Sequence, residues 1–402
     1  MTPPLSERVR STSRSSIRHM FDLANDEARR GRDLVRLEIG EPDFDTPAHI
    51  VDAATEAARA GHTHYTPNAG LPELREAISR TSMHGSRGRV DAGPDFDPER
   101  EIVVTTGGME ALHLAALAIA DPGTEILCPT PTWPNYLTQA RLAGATPVEV
   151  PLDPDDGFAL DADRVAGAIS AATAAVVLCT PSNPTGRVYD EAAVRRVIEA
   201  AVSHDAYVIA DEVYGGLTYD EPYRPVASLA DAPEHVLTVG SFSKTYAMTG
   251  WRVGWLAGPE RIVEQVTKIR EATTASTASV SQHAAIAALT GPHEPIDEMA
   301  AAFGKRREYV VERIKGIDGL SAPSPEGAFY AFLDVRDWEK SSLAIAETLL
   351  ADYGVVVAPG GGFGDAGEGF CRLSFANGLD RIEEGFDRIE RAVAEKAFGP
   401  VG

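Results

Sequence analysis

Six short runs of apolar and β-branched residues punctuate the first two-thirds of the chain: Glu101–Thr105, Glu125–Cys128, Ala175–Cys179, Tyr207–Ala210, Val236–Val239 and Arg252–Ala257. Their shortness and near-continuous apolar character predict strands buried on both faces. Between the first two, Met109 to Ala120 is built of helix formers. Between the third and fourth, Glu191 to His204 repeats its apolar positions at Val194, Val197 and Ile198, as one face of a helix does. Strand, helix and strand in succession predict an α/β fold with a mostly parallel sheet between helices. Past residue 291 the texture changes. Pro295–Lys315 reads as one long amphipathic helix, followed by a strand at Ala328–Leu333, a helix at Leu343–Tyr353 and a strand at Gly354–Ala358. A glycine-rich loop, a strand at Cys371–Phe375 and a last helix complete a smaller α+β domain. The segment before Gly40 is too short to fold alone and is expected to pack on that domain. The expected division is therefore 1–45 as an N-terminal segment, 46–291 as the large domain and 292–402 as the small one.

Composition narrows the partners. Against 37 basic residues stand 60 acidic ones, a formal charge of −23, and such a surface repels phosphate backbones and anionic membranes. Neither nucleic acid nor membrane is an expected partner. Cys128, Cys179 and Cys371 are odd in number and far apart, which fits neither a disulfide framework nor a metal site, and points to a reducing compartment. The N-terminus is polar, with Arg8, Arg10, Arg14 and Arg18 and no apolar core of a secretory signal. The longest apolar stretch, Ala111–Ala120, contains His113 and stops at Asp121-Pro122, too short to span a bilayer. A cytoplasmic protein is expected.

Four groups of residues carry candidate chemistry. Of only six lysines, five sit in stretches that read as exposed; Lys244 alone follows a buried strand, in Ser241-Phe242-Ser243-Lys244. An α/β fold places its chemistry at such a strand end, and desolvation there lowers an amine's pKa and makes it nucleophilic. Lysines also cap loops, but the flanking hydroxyls and Arg252, eight residues on, suit a bound phosphate. Asp211 and Tyr214, in Asp211-Glu212-Val213-Tyr214, end another buried strand. A carboxylate there serves as a helix N-cap or as the partner of a pyridine nitrogen, which it holds protonated. In Pro181-Ser182-Asn183-Pro184-Thr185-Gly186 the prolines and glycine fix the backbone around Asn183, as a plain tight turn also requires. Thr105-Thr106-Gly107-Gly108 joins a strand to a helix start whose amides form an anion site, although glycines mark many turns for steric reasons alone.

Together these groups are far more specific than any one. With Gly40-Glu41-Pro42-Asp43-Phe44, Tyr65-Thr66-Pro67-Asn68-Ala69-Gly70, Gly250-Trp251-Arg252 and Cys371-Arg372-Leu373-Ser374-Phe375, the chain resembles the class I/II, fold type I, pyridoxal-phosphate-dependent aminotransferases, close to the aspartate/aromatic subgroup. The motifs run in the family's order over nearly the whole chain. The resemblance implies a large domain with a mostly parallel seven-stranded sheet, a small α+β domain, pyridoxal 5′-phosphate as cofactor, and a homodimer with shared sites.

Residue by residue it implies that Lys244 carries the cofactor covalently and moves the substrate proton, that Asp211 pairs with the ring nitrogen, and that Asn183 and Tyr214 bond the phenolic oxygen. Trp133 falls where the family stacks an aromatic ring, although bulk alone makes it a core tryptophan. The phosphate is expected on Gly107, Gly108 and Met109 with Ser241, Ser243 and Arg252, and Tyr65 reaches it from the second subunit. Met109 departs from the polar residue common at its position. Gly40 and Arg372 match the α-carboxylate clamp, and Tyr330 lines the substrate side. The stretch Thr273–His283, near the site entrance in the family, holds neither Lys nor Arg, and Ile17 and Met109 are apolar. A neutral or apolar amino donor, with 2-oxoglutarate as acceptor, is the expectation. Alternatives on the same residues are a C–S β-lyase or aspartate aminotransferase proper.

Overall fold

The computed structural model describes residues 3–399 except 4, 11, 13 and 85–89. Its strands, in chain order, are β1 (Val35–Arg36), β2 (Ile102–Thr105), β3 (Glu125–Thr130), β4 (Thr146–Pro151), β5 (Thr173–Cys179), β6 (Tyr207–Asp211), β7 (Val236–Ser241), β8 (Gly254–Ala257), β9 (Tyr330–Asp334), β10 (Val355–Val356), β11 (Ala358–Pro359) and β12 (Phe370–Ser374). Seven of them form one sheet in the order β2-β8-β7-β6-β5-β3-β4. All its pairings are parallel except those of β8, which runs against both β2 and β7. The six buried runs of the sequence thus become six strands of this sheet. The seventh, β4, was not foreseen: it lies at the sheet edge, half-exposed, and carries Pro147 and Pro151, tolerated only where no second ladder must be formed.

The parallel strands β2, β5, β6 and β7 end at one edge of the sheet, and the reversed β8 begins there. That shared edge is where open α/β sheets bind ligands. The helices Gly108–Ile119 and Glu191–Ser203 follow β2 and β5, so the expected strand–helix succession is present.

A second core gathers β9, β12 and the helices Ser342–Thr348 and Leu379–Ala394 around Phe329, Leu333, Leu349, Phe375 and Phe386. Met20, Ala24, Leu34, Val35 and Leu37 pack into it, and β1 pairs in parallel with β10. The helix foreseen at Leu343–Tyr353 changes to a wider π turn at Leu349–Tyr353, and the single strand foreseen after it divides: β10 pairs with β1, β11 with β12. The long helix Glu294–Lys315 belongs to both cores, through Ile296 in the first and Phe303, Val310 and Ile314 in the second. Tyr214 and Leu217, which follow β6, also pack in the second core, so the ligand edge of the large sheet lies against it. Among the described residues no helix is long and apolar enough to cross a membrane, and no His, Cys, Asp or Glu cluster is able to hold a metal ion. All three cysteines are free and buried.

Candidate active site

Where the sheet edge meets the second core lies a cavity of about 390 Å³. Lys244, Asp211, Tyr214, Asn183, Trp133, Gly108, Met109, Ser241, Ser243, Arg252, Gly40, Tyr330, Arg372 and Ile17 all line it. Nearly every candidate named from sequence is therefore brought together, although these residues span most of the chain.

Lys244 follows β7 and is largely enclosed, while the other five lysines are exposed. Its Nζ donates to the carbonyl of Gly40 at 2.6 Å. Burial pulls its pKa down to about 8; the charges of Arg372 and Arg252 push the same way, against the attraction of Glu41 and Asp211. The neutral, nucleophilic amine is thereby accessible close to neutral pH.

Asp211 ends β6 and is buried, with its pKa raised to about 6 by desolvation. It accepts hydrogen bonds from the Tyr136 hydroxyl at 2.5 Å and, more weakly, from the Val213 amide at 3.3 Å. It does not cap a helix. A buried carboxylate with no cation in contact is poised to take a charged N–H donor, which would draw its pKa back down.

Arg372, in the middle of β12, is only 4 % exposed, and no ion pair involves it among the described residues. Its Nη1 donates to Asn183 Oδ1 at 2.9 Å and its Nη2 to the Glu38 carbonyl at 2.6 Å, while its guanidinium stacks 4.5 Å over Tyr330 and 5.0 Å over Phe363. Nε has no partner. A buried guanidinium so fixed and so lacking an anion is able to receive a carboxylate. Tyr214 and Tyr330 share a hydroxyl–hydroxyl hydrogen bond of 2.9 Å, and burial pushes the Tyr214 hydroxyl up, keeping it a donor.

At the end of β2, Gly107 adopts φ 77°, and a Cβ there would lie 2.5 Å from Arg252 Nη2. Gly108 lines the cavity, and Gly107 precedes it without lining it directly. Across from it, a Cβ on Gly254 would come within 2.7 Å of Gly107 and Gly108 backbone, so bare backbone is needed on both sides. The helix beginning at Gly108 presents its first amides beside Arg252, which has φ 52° and donates through Nη1 to the Thr249 carbonyl at 2.7 Å. Ser241 and Ser243 complete this corner, their hydroxyls 3.0 Å apart. Helix amides, two hydroxyls and a guanidinium with no ion-pair partner among the described residues are together able to cradle an anion.

Trp133 meets Tyr136 edge-on at 5.5 Å, which leaves its ring as a wall of the cavity. Met109 stands at the mouth, 39 % exposed, and Ile17 and Phe21 enter from the helix Ser16–Arg29. Tyr136, Phe21, Glu38 and Glu41 were not foreseen; only Tyr136, three residues beyond Trp133 at a helix start, left a usable signal. Tyr65 does not reach the cavity: it is 92 % exposed on a loop beside Ser276–Val280. No residue of Thr273–His283 lines the cavity within one chain either, so that stretch flanks the Tyr65 loop and not this chain's own site entrance.

The sequence matches the family described as aminotransferase class I and II over residues 32–389. The chain belongs to this family. It is 38 % identical to an aspartate aminotransferase of Pyrococcus abyssi, over 98 % of this chain and 99 % of that one. It is 37 % identical to aromatic-amino-acid aminotransferase 2 of Thermococcus litoralis, over 98 % and 99 %. Among solved structures, the aspartate aminotransferase of Thermus thermophilus with maleate superimposes at a TM-score of 0.91, with 37 % identity over 97 % of this chain and all of that one. The aminotransferase is thus a pyridoxal 5′-phosphate enzyme of fold type I. The residues present fit that cofactor: an enclosed amine, a buried carboxylate, an aromatic wall and a group of anion-binding residues all border one cavity.

Proposed function

We propose that this aminotransferase carries the amino group of a neutral or apolar L-amino acid to a 2-oxo acid such as 2-oxoglutarate. The observation that carries the reading is the placement of cations: Lys244, Arg252 and Arg372 are the only ones among the described residues that line the cavity, and each has another duty. The side-chain end is bordered by Ile17, Phe21 and Met109.

Bound pyridoxal 5′-phosphate supplies an electron sink for the pair released when the substrate Cα–H bond breaks. Lys244 Nζ takes and returns that proton, its pKa near 8 matching the task. Asp211 holds the proton on the ring nitrogen, and Tyr136 fixes the carboxylate. Asn183, whose Oδ1 accepts from Arg372, has no partner on its side-chain N–H groups among the described residues, so they can donate to the phenolic oxygen together with the Tyr214 hydroxyl. Gly107, Gly108, Met109, Ser241, Ser243 and Arg252 hold the phosphate, and Trp133 covers the ring. Arg372 clamps the α-carboxylate with Gly40 beside it, while Tyr330 lines the substrate side. The exposed Tyr65 supports a two-fold dimer in which each loop completes the other chain's site. The division at residues 45 and 291 and a cytoplasmic setting, which free thiols suit, are part of the same proposal.

A buried donor carboxylate without a cation costs several kcal/mol, roughly enough to suppress an acidic donor by orders of magnitude. A panel of amino donors against pyruvate and 2-oxoglutarate is expected to give neutral donors at least about tenfold higher kcat/KM than aspartate. Aspartate as the best donor by the same margin would overturn the reading in favour of aspartate aminotransferase. Elimination products without amino transfer would favour a lyase.

A further inference from the structure

Among the described residues outside the cavity, one charged residue is 0 % exposed. Arg270, on the helix Glu260–Thr273, is 0 % exposed. Its Nε pairs with Glu110 Oε2 at 3.3 Å, its Nη2 donates to Thr277 Oγ1 at 2.6 Å, and its Nη1 donates to the carbonyl of Asn68. Glu110 lies in the first turn of the helix beginning at Gly108, and its carboxylate accepts from the Thr106 amide and the Thr274 hydroxyl. Burial raises the Glu110 pKa, but these hydrogen bonds and the Arg270 charge outweigh it and hold the group below the ordinary carboxylate range. Glu110 is therefore an anion set into the same turn of chain as Gly107 and Gly108. Unneutralised, it would oppose a second anion bound at that helix start.

We infer that Arg270 is a positioning residue for the phosphate cradle: it neutralises Glu110, fixes Thr106 through it, and ties this strand–helix junction to the loop of Tyr65. The inference rests on the proposed cradle at Gly107, Gly108 and Arg252. Arg270 does not line the cavity and touches no reacting atom. It acts by holding Glu110 and the carbonyl of Asn68, three residues beyond Tyr65. Gln282, also buried, holds the same loop through Thr66 at 2.8 Å and the Leu71 amide at 2.8 Å. Both parts of the molecule proposed to meet a phosphate, the chain's own junction and the loop offered to a second copy, thus hang from one guanidinium.

The test compares affinities of the cofactor-free full-length protein for pyridoxal 5′-phosphate and for pyridoxal, which lacks the phosphate. Wild-type protein is expected to favour the phosphate ester strongly; equal affinities would overturn the cradle itself. Arg270→Gln, leaving Glu110 charged and unpaired, is expected to weaken pyridoxal 5′-phosphate binding by about thirtyfold. Its pyridoxal affinity should change by no more than about threefold on the same grounds. The double variant Arg270→Gln with Glu110→Gln, which removes both charges, should recover most of the loss. Undiminished preference for the phosphate ester in Arg270→Gln would overturn the Arg270 role while leaving the cradle standing. A general loss of structure would weaken both ligands alike. Should the single variant bind neither, the double variant decides: recovered selectivity supports the role, and continued failure refutes it.

Discussion

Lys244→Ala is expected to bind pyridoxal 5′-phosphate yet to lose transamination by about 10⁴-fold, the upper range for removal of a general acid–base group. The amine is the only lysine in the cavity, and its pKa is brought to about 8 by burial, so no neighbour stands ready to replace it. Retained binding follows because the cradle, the Trp133 wall and Asp211 do not depend on Lys244. Steady-state kinetics with single-turnover absorbance on the same variant separate the two. A variant within tenfold of wild type would leave Lys244 without its proposed role.

Asp211→Asn is expected to leave the fold intact and reduce turnover by about 10–10³-fold. An amide cannot hold a ring proton by charge, and losing an opposite charge in contact moves a pKa by about 1–3 units, hence the protonated fraction by a comparable factor. Asparagine keeps one acceptor for the Val213 amide, and its Nδ2 can donate to the Tyr136 hydroxyl, which turns to accept, so packing is preserved. Near-normal kcat in a folded Asp211→Asn protein would reduce Asp211 to a structural group.

The large sheet was legible because its central strands are apolar on both faces and bounded by turns; β4 was not, because an edge strand with two prolines and exposed positions carries neither signal. Short motifs following strands made most of the site legible, since an α/β sheet delivers the ends of its parallel strands to one edge. Lys244 stood out through the rarity of lysine here. The pairing of residues across long stretches of chain was not readable, even where one partner could be: Tyr136 meets Asp211 from 75 residues away, and Arg270 meets Glu110 from 160. Tyr65 shows the opposite case. Its motif was readable, yet in one chain it points to solvent, since the surface it serves is proposed to belong to a second copy.

The most direct measurement is borohydride reduction of the holoenzyme followed by peptide mapping, which fixes a pyridoxyl group on whichever lysine bears the cofactor. With six lysines in the chain and five of them exposed, the assignment is unambiguous. The label is expected on the peptide containing Ser241-Phe242-Ser243-Lys244 and nowhere else. A pyridoxyl group on Lys268, Lys305, Lys315, Lys340 or Lys396, with Lys244 unmodified, would contradict the proposed site.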